Sequence, residues 1–190
     1  ARSRCSAGAA RLLAVGGGKG GVGKTFLTAN LAVALAQLGH RVVAVDADLE
    51  GANLHTCLGV PAPRLSLADF VAGREDDLGK LAIETSEPNL RIIAGTHANL
   101  GEAQPSHLHR VRLMRALRQL PADFVLIDLG AGMHSSVLDY FLVCDDGLLV
   151  VQPEPTSVEN AYSFLRAAFY RRMRLAMVGH GVRELVTQAM

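Results

Sequence analysis

Apolar runs of strand length alternate along this chain with longer stretches of helical period, the pattern of a parallel sheet with helices on both faces. Leu12 to Gly16 is a short apolar run that ends in glycines. Phe26 to Leu38 then repeats leucine at 27, 31, 35 and 38, as one side of a helix does, and Gly39 supplies its stop. Further apolar runs follow at Arg41 to Asp46, Leu90 to Ala94, Asp123 to Asp128 and Gly147 to Val151, which makes five expected strands. Ser66 to Gly73 reads as a short helix, with Ser66 and Asp69 spaced as a capping box. Leu108, Val111, Met114 and Leu117 fall on one side of another helix, with Arg110, Arg112, Arg115 and Arg118 on its other sides. A last helix after Pro155 is expected to open on a second capping box, Thr156 with Glu159. It is expected to end at Arg171, Arg172 and Arg174, where positive charge suits the helix dipole.

No repeat, low-complexity tract or linker interrupts this alternation, so residues 12–190 are expected to form one α/β domain. At 190 residues it is long enough for a well-buried core. Residues 1–11 carry three arginines among serine and alanine, lack the apolar core of a signal peptide, and read as a disordered lead-in. Met177 to Met190 brings no further strand, so the domain is expected to be incomplete at its C-terminus. A net charge of +1 gives no whole-chain case for nucleic acid or a membrane surface. No apolar stretch approaches the roughly 20 residues that a membrane span needs. Cys5, Cys57 and Cys144 are scattered and form no CxxC pair, which points to reduced thiols in a cytoplasm. His107 and His109 fall on opposite sides of a helix start, a poor spacing for zinc. The arginines of residues 110–118 read as a solvated helix face, since no aromatics interleave with them for stacking on bases.

The chemistry concentrates in one loop. Of 19 basic residues only Lys19, Lys24 and Lys80 are lysine, and two of these lie in a single glycine-rich segment. Gly18-Lys-Gly-Gly-Val-Gly-Lys24-Thr25 matches G-x-x-x-x-G-K-[ST] between an expected strand and an expected helix. Glycines let the backbone fold so that successive N–H groups point at phosphate oxygens, and the positive end of the following helix adds to the attraction. Gly18, Lys19, Gly20, Gly21, Val22, Gly23, Lys24 and Thr25 are therefore expected to hold nucleotide phosphates. Lys24 should reach the β- and γ-phosphates, and the Thr25 hydroxyl should ligate Mg²⁺. A bare glycine-rich turn is the alternative, and the strand before it and helix after it weigh against that.

Asp128 ends an apolar strand and is followed by Leu-Gly-Ala-Gly132. A carboxylate there is placed to hold Mg²⁺ through water, while the Gly130–Gly132 turn offers an N–H to a γ-phosphate. Asp46 and Asp48 close the second strand, where strand ends face a ligand crevice. The two should have different tasks, one supporting the metal shell and the other orienting water. Two solvated turn carboxylates, or a strand-ending Asp128, are the plainer alternatives.

These residues resemble the MinD/ParA family of deviant-Walker-A ATPases. The mark is Lys19-Gly-Gly-Val-Gly-Lys24-Thr25, with its extra lysine at the front. The resemblance continues through Asp46-Ala-Asp48 with Asn53, Asp128-Leu-Gly-Ala-Gly132 and Pro153-Glu-Pro155, and the Asp48 to Leu54 stretch is most like MinD-like and FlhG-like members. The resemblance implies a three-layer P-loop fold, binding of ATP with Mg²⁺, and a nucleotide-dependent homodimer in which Lys19 crosses to the other subunit's phosphates. It implies that Asp48 positions the attacking water, that Asp46 joins Thr25 and Asp128 at the metal, and that a partner protein activates slow hydrolysis. Members position division sites, flagella, DNA or cargo, in the cytoplasm or at the inner face of the membrane. Phe26 departs from the family, which has a small residue near the α-phosphate at that position. A nucleotide-gated scaffold with negligible turnover is the alternative. An iron–sulfur carrier lacks the cysteines it needs, and a tyrosine kinase lacks a tyrosine cluster, with only Tyr140, Tyr162 and Tyr170 present.

Overall fold

In the computed structural model, which describes residues 9–48, 51–61, 63–95 and 107–179, the apolar runs become strands of a single sheet. The chain runs through β1 (Arg11–Gly16), α1 (Lys24–Gln37), β2 (Val42–Ala47), α2 (Leu54–Cys57) and α3 (Leu67–Val71). A 3₁₀ turn (Leu78–Leu81), β3 (Ile83–Glu84), β4 (Leu90–Ile93) and α4 (His107–Arg118) follow. β5 (Phe124–Leu129), α5 (Ser135–Val143), β6 (Asp146–Leu149) and α6 (Pro155–Gly179) complete it. The strand order is β3-β4-β2-β5-β1-β6, with every pairing parallel except that of β3 with β4. Among the described residues there are thus six strands where five were expected. Two residues of β3 are too short to show a period of their own.

Both faces of the sheet are covered, as a parallel sheet requires. Val43 and Val45 of β2 with Val125 and Ile127 of β5 pack under α3 to α6, against Phe70, Leu117, Leu138 and Phe164. Val42 and Ala44 with Leu126 face the other way, onto Ala29, Ala32 and Ala36 of α1 and Leu54 of α2. The buried face of α1 is therefore its alanines, and Leu27 and Leu38 of the expected leucine stripe are exposed. Small side chains let α1 lie close to the strands that carry the acidic residues.

The register of α4 also differs from expectation. Leu108 is exposed, while Leu113, Met114 and Leu117 are buried. Arg110 shares their side, because Asp139 of α5 receives it: Nε lies 3.1 Å from Oδ2. The same carboxylate accepts from Arg171 of α6 at 2.5 and 2.8 Å, so one aspartate ties three helices together. Arg112 stacks over Phe70 and pairs with Asp76, and Arg118 pairs with Asp145, so this basic face is largely neutralised.

Ser66 and Asp69 do form a capping box, and Gly73, at φ 73°, follows α3 in the left-handed region. The second expected box does not form. Pro155 is itself the first residue of α6, where its fixed φ suits a helix start and its missing N–H costs nothing. Glu154 is then the residue whose carbonyl accepts from Ser157 and Val158, and Thr156 donates to the Glu154 carboxylate instead. The helix runs past Arg174 to Gly179. At the other end Arg11 belongs to β1, and buried Ala10 donates to the Arg118 carbonyl, so the lead-in stops short of both. Residues 1–8 of that lead-in and residues 180–190 of the expected strandless tail lie outside the described residues.

Candidate functional site

The C-terminal ends of β1, β2, β5 and β6 open on the same side of the sheet, and the loops that follow them converge there. The loop after β1 turns through Gly21 (φ 76°) and Gly23 (φ 97°), both in the left-handed region, and Gly23 caps α1. The loop lies between β1 and α1, the position that the expected cradle requires. Other glycines are required by crowding. A Cβ on Gly18 would lie 2.3 Å from the Asn160 carbonyl oxygen of α6, and one on Gly17 would crowd Val22 and Lys24. Lys24 is buried, and among the described residues no ion pair holds its ammonium. Phe26 points outward, 71% exposed.

Asp46 and Asp128 are directly opposite each other in the β2–β5 register. Strand alternation sends both to the α1 side, since Ala44 and Leu126, two residues back, pack there. Both are buried almost completely. Asp46 accepts from the backbone N–H groups of Asp48 at 3.1 Å and Leu54 at 3.0 Å, which ties the acidic turn and the start of α2 to the strand. Asp128 accepts from the hydroxyl of Thr28 at 3.2 Å and from that of Thr25. Burial pushes the Asp128 carboxyl up to about 6. Neighbouring Asp46 reinforces this, against the hydroxyls of Thr25 and Thr28 and the Lys24 charge. Burial likewise raises Asp46 above the ordinary range.

Asp48 lies just past the strand and is half-buried. Its carboxylate accepts from Gly51 N–H at 3.0 Å and packs on Gly130, where a Cβ would come within 3.3 Å of Oδ1. The two acidic turns therefore touch. Gly132 (φ 91°) donates to the Gly17 carbonyl, which joins the turn after β5 to the glycine loop.

Sequence reasoning missed four contributors. Thr28 sits one helical turn beyond Lys24 on the strand-facing side of α1, a position that its spacing could have marked. Glu154 pairs with Lys19 at 2.9 Å and is held below the usual carboxyl range by that bond. Gln152 donates to the Gly21 carbonyl, and Asn160 abuts Gly18. These three come from the segment after β6, far along the chain from the loop they touch. Among the described residues no cluster of three or more His, Cys, Asp or Glu could hold a metal by itself.

A model of the CobQ/CobB/MinD/ParA nucleotide binding domain matches residues 13–148. The antiactivator FleN of Pseudomonas aeruginosa is 36% identical over 158 residues, which cover 82% of this chain and 55% of FleN. The septum site-determining protein MinD of Pyrococcus horikoshii, solved with Mg-ADP, superimposes with a TM-score of 0.66 at 32% identity, over 80% of this chain and 61% of that one. Cobyrinic acid a,c-diamide synthase of Mycobacterium smegmatis, solved with an ATP analogue and magnesium, gives a TM-score of 0.75 at 26% identity, over 86% and 69%. The chain thus spans little more than half the length of FleN.

Proposed function

Because this chain belongs to the CobQ/CobB/MinD/ParA nucleotide-binding family, we propose that it is a Mg-ATP-dependent switch ATPase that hydrolyses slowly and pairs around its nucleotide. The observation that carries this is the charge pattern behind the glycine loop: one buried lysine with no ion pair among the described residues, set beside two buried, adjacent carboxylates. Such a site fits a phosphate chain and a divalent cation together. The loop and Lys24 suit the anion, while Asp46, Asp128 and the Thr25 hydroxyl suit a hard cation that shares its ligands with phosphate. With only two carboxylates beside it, the cation would depend on phosphate for the rest of its shell.

Bound Mg-ATP supplies the electrophilic γ-phosphorus and a divalent charge that offsets the negative charge of the transition state. The chain's own residues then have separable tasks. Gly18 to Thr25 bind and orient through backbone N–H groups, with Val22 packed beneath the loop and Phe26 beside it. Lys24 holds the terminal phosphates, and Thr25, Asp46 and Asp128 organise the metal side. Asp48, seated against Gly130, orients water, and Gly132 offers a donor N–H. Lys19, bound to Glu154 of its own chain, exchanges that partner for the phosphates of a second subunit. The Lys19–Glu154 pair is exposed, so little opposes the exchange.

Lys24→Ala should lower Mg-ATP affinity at least tenfold by calorimetry, and an unchanged affinity would remove the assignment. Asp48→Ala should trap ATP, so that light scattering reports a doubled mass with Mg-ATP and the monomer without it. Adding Lys19→Ala should return the monomer. A monomer throughout, with ATP bound, would leave a nucleotide-gated module that does not pair by itself. Phosphate release with and without a partner protein separates a slow ATPase from a scaffold. A role in positioning cellular machinery, such as a division site, flagella, DNA or cargo, is in keeping with relatives named antiactivator FleN and septum site-determining MinD. No described helix is long and apolar enough to cross a membrane, which suits work in the cytoplasm or at a membrane face.

A further inference from the structure

The side of α1 that faces the sheet is lined with alanines, Ala29, Ala32 and Ala36, apart from two polar residues, Lys24 and Thr28. Lys24 belongs to the phosphate loop. Thr28, one turn further along, is wholly enclosed on the side of α1 that packs on Ala44 and Leu126. Valine has nearly the same shape and would bring no polar atom to satisfy there, so the hydroxyl has to be explained by its bonds. Its Oγ1 lies 2.9 Å from the Lys24 carbonyl oxygen and 3.2 Å from Asp128 Oδ1, 100 residues away in sequence. Threonines in helices commonly bond the carbonyl four residues back, and that bond alone would satisfy Thr28. The contact with Asp128 lies outside that local rule.

The two adjacent carboxylates are anchored in different ways. Asp46 accepts a backbone N–H on each of its oxygens, from Asp48 and from Leu54, so its own turn sets its orientation. Asp128 accepts no backbone N–H on its side chain among the described residues, and the hydroxyls of Thr25 and Thr28 hold it instead. Like charges set side by side repel, so a carboxylate without an anchor would turn away from its neighbour. Thr25 also has the metal to serve. Thr28 is the anchor whose only other partner is the Lys24 carbonyl. A hydroxyl carries one proton and gives it to one acceptor at a time, so this one is shared between the turn that bears the phosphate lysine and the carboxylate of the metal side.

We propose that Thr28 is a positioning residue for the metal side of the site: its hydroxyl fixes Asp128 against α1, in register with the turn that carries Lys24. The proposal rests on the Mg-ATP reading given above. Its consequence is that nucleotide and magnesium strengthen each other's binding in part through this hydroxyl. Without it the phosphates are held as before, and the cation loses a carboxylate set in place.

The test titrates the full-length protein with a fluorescent ATP analogue in EDTA and again in magnesium, and the ratio of the two affinities measures what the metal adds. Thr28→Val should leave the affinity in EDTA within about twofold and cut the ratio at least about fivefold, the effect of a lost hydrogen bond to a charged group. Thr28→Ser keeps the hydroxyl and should restore most of the ratio. Thr28→Ala should behave as Thr28→Val, so that crowding by the extra methyl of valine is not mistaken for loss of the bond. In an Asp128→Asn background, Thr28→Val should lower the ratio no further, because the hydroxyl acts through that carboxylate. Equal weakening with and without magnesium would overturn the proposal and make Thr28 a packing residue. An unchanged ratio in Thr28→Val, or a Thr28→Ser no better than Thr28→Ala, would overturn it as well. A wild-type protein that binds the analogue in neither buffer would remove the nucleotide reading and this proposal with it, whereas a wild type that binds and a Thr28→Val with the same ratio would remove the proposal alone.

Discussion

Asp128 illustrates how much a single side chain can be made to do by its surroundings. Its carboxyl titrates near 6 in the folded protein and near 3.8 when exposed. Between those values the folded state keeps a proton that the unfolded chain releases, so stability of the nucleotide-free protein falls as pH rises through the window and levels off above it. The full effect is about 3 kcal/mol. Urea midpoints taken at about pH 4.5 and pH 7 should show this loss, and Asp128→Asn should remove its share of it. Gly18 is constrained differently. An alanine methyl would meet the backbone of Asn160, so Gly18→Ala should part the loop from α6, cost about 1–3 kcal/mol and weaken ATP binding. Nucleotide titration alongside denaturation would check both. The glycine loop, Asp46, Asp48 and Asp128 were all legible in the sequence, because local spacing and strand ends define them. Glu154 and Asn160 were not, since their contact with the loop depends on how β6 and α6 return to β1. Burial pushes the Cys144 thiol up to about 12.

At the level of elements, the decisive tie is the one that Asp139 makes between α4, α5 and α6. Removing it as Asp139→Ala leaves Arg110 and Arg171 without their shared carboxylate in a mostly enclosed place. Allowing for the partial exposure of Arg171, the cost should be about 2 kcal/mol in urea unfolding. Glu154→Gln, which removes an exposed partner from Lys19, should leave the same midpoint unchanged, so the pair of variants separates a structural tie from a functional one. This network also explains where pattern reading went astray. The register of α4 was read from its leucines, but Asp139, in another helix, makes Arg110 an inward residue and leaves Leu108 outside. In α1 the need for close approach to the acidic strands favours alanine over leucine on the buried side. The capping box expected at Thr156 is lost because Pro155 starts the helix sooner than any side-chain cap would. Strands were read better, to within a few residues at each end, since burial on both faces leaves a continuous apolar run that local sequence shows directly.

For the molecule as a whole, alternation of strand and helix was enough to specify a parallel sheet in three layers, but not the order of its strands. Order depends on which crossover reaches which edge, and no local period encodes that. It places β1, the strand that presents the glycine loop, between two neighbours made much later. The Leu12 N–H bonds the Asp145 carboxylate 133 residues away, and Arg11 meets Asp146 at a separation of 135. During synthesis the loop thus leaves the ribosome early, on a strand that has nothing to pair with. Contacts so distant in sequence form slowly and cannot form at all until both partners exist. Nascent chains arrested before Phe124 should fail to retain a labelled ATP analogue, and chains released beyond α6 should keep it. Nucleotide capture would then serve as a report that translation has passed β6, given by a loop translated long before.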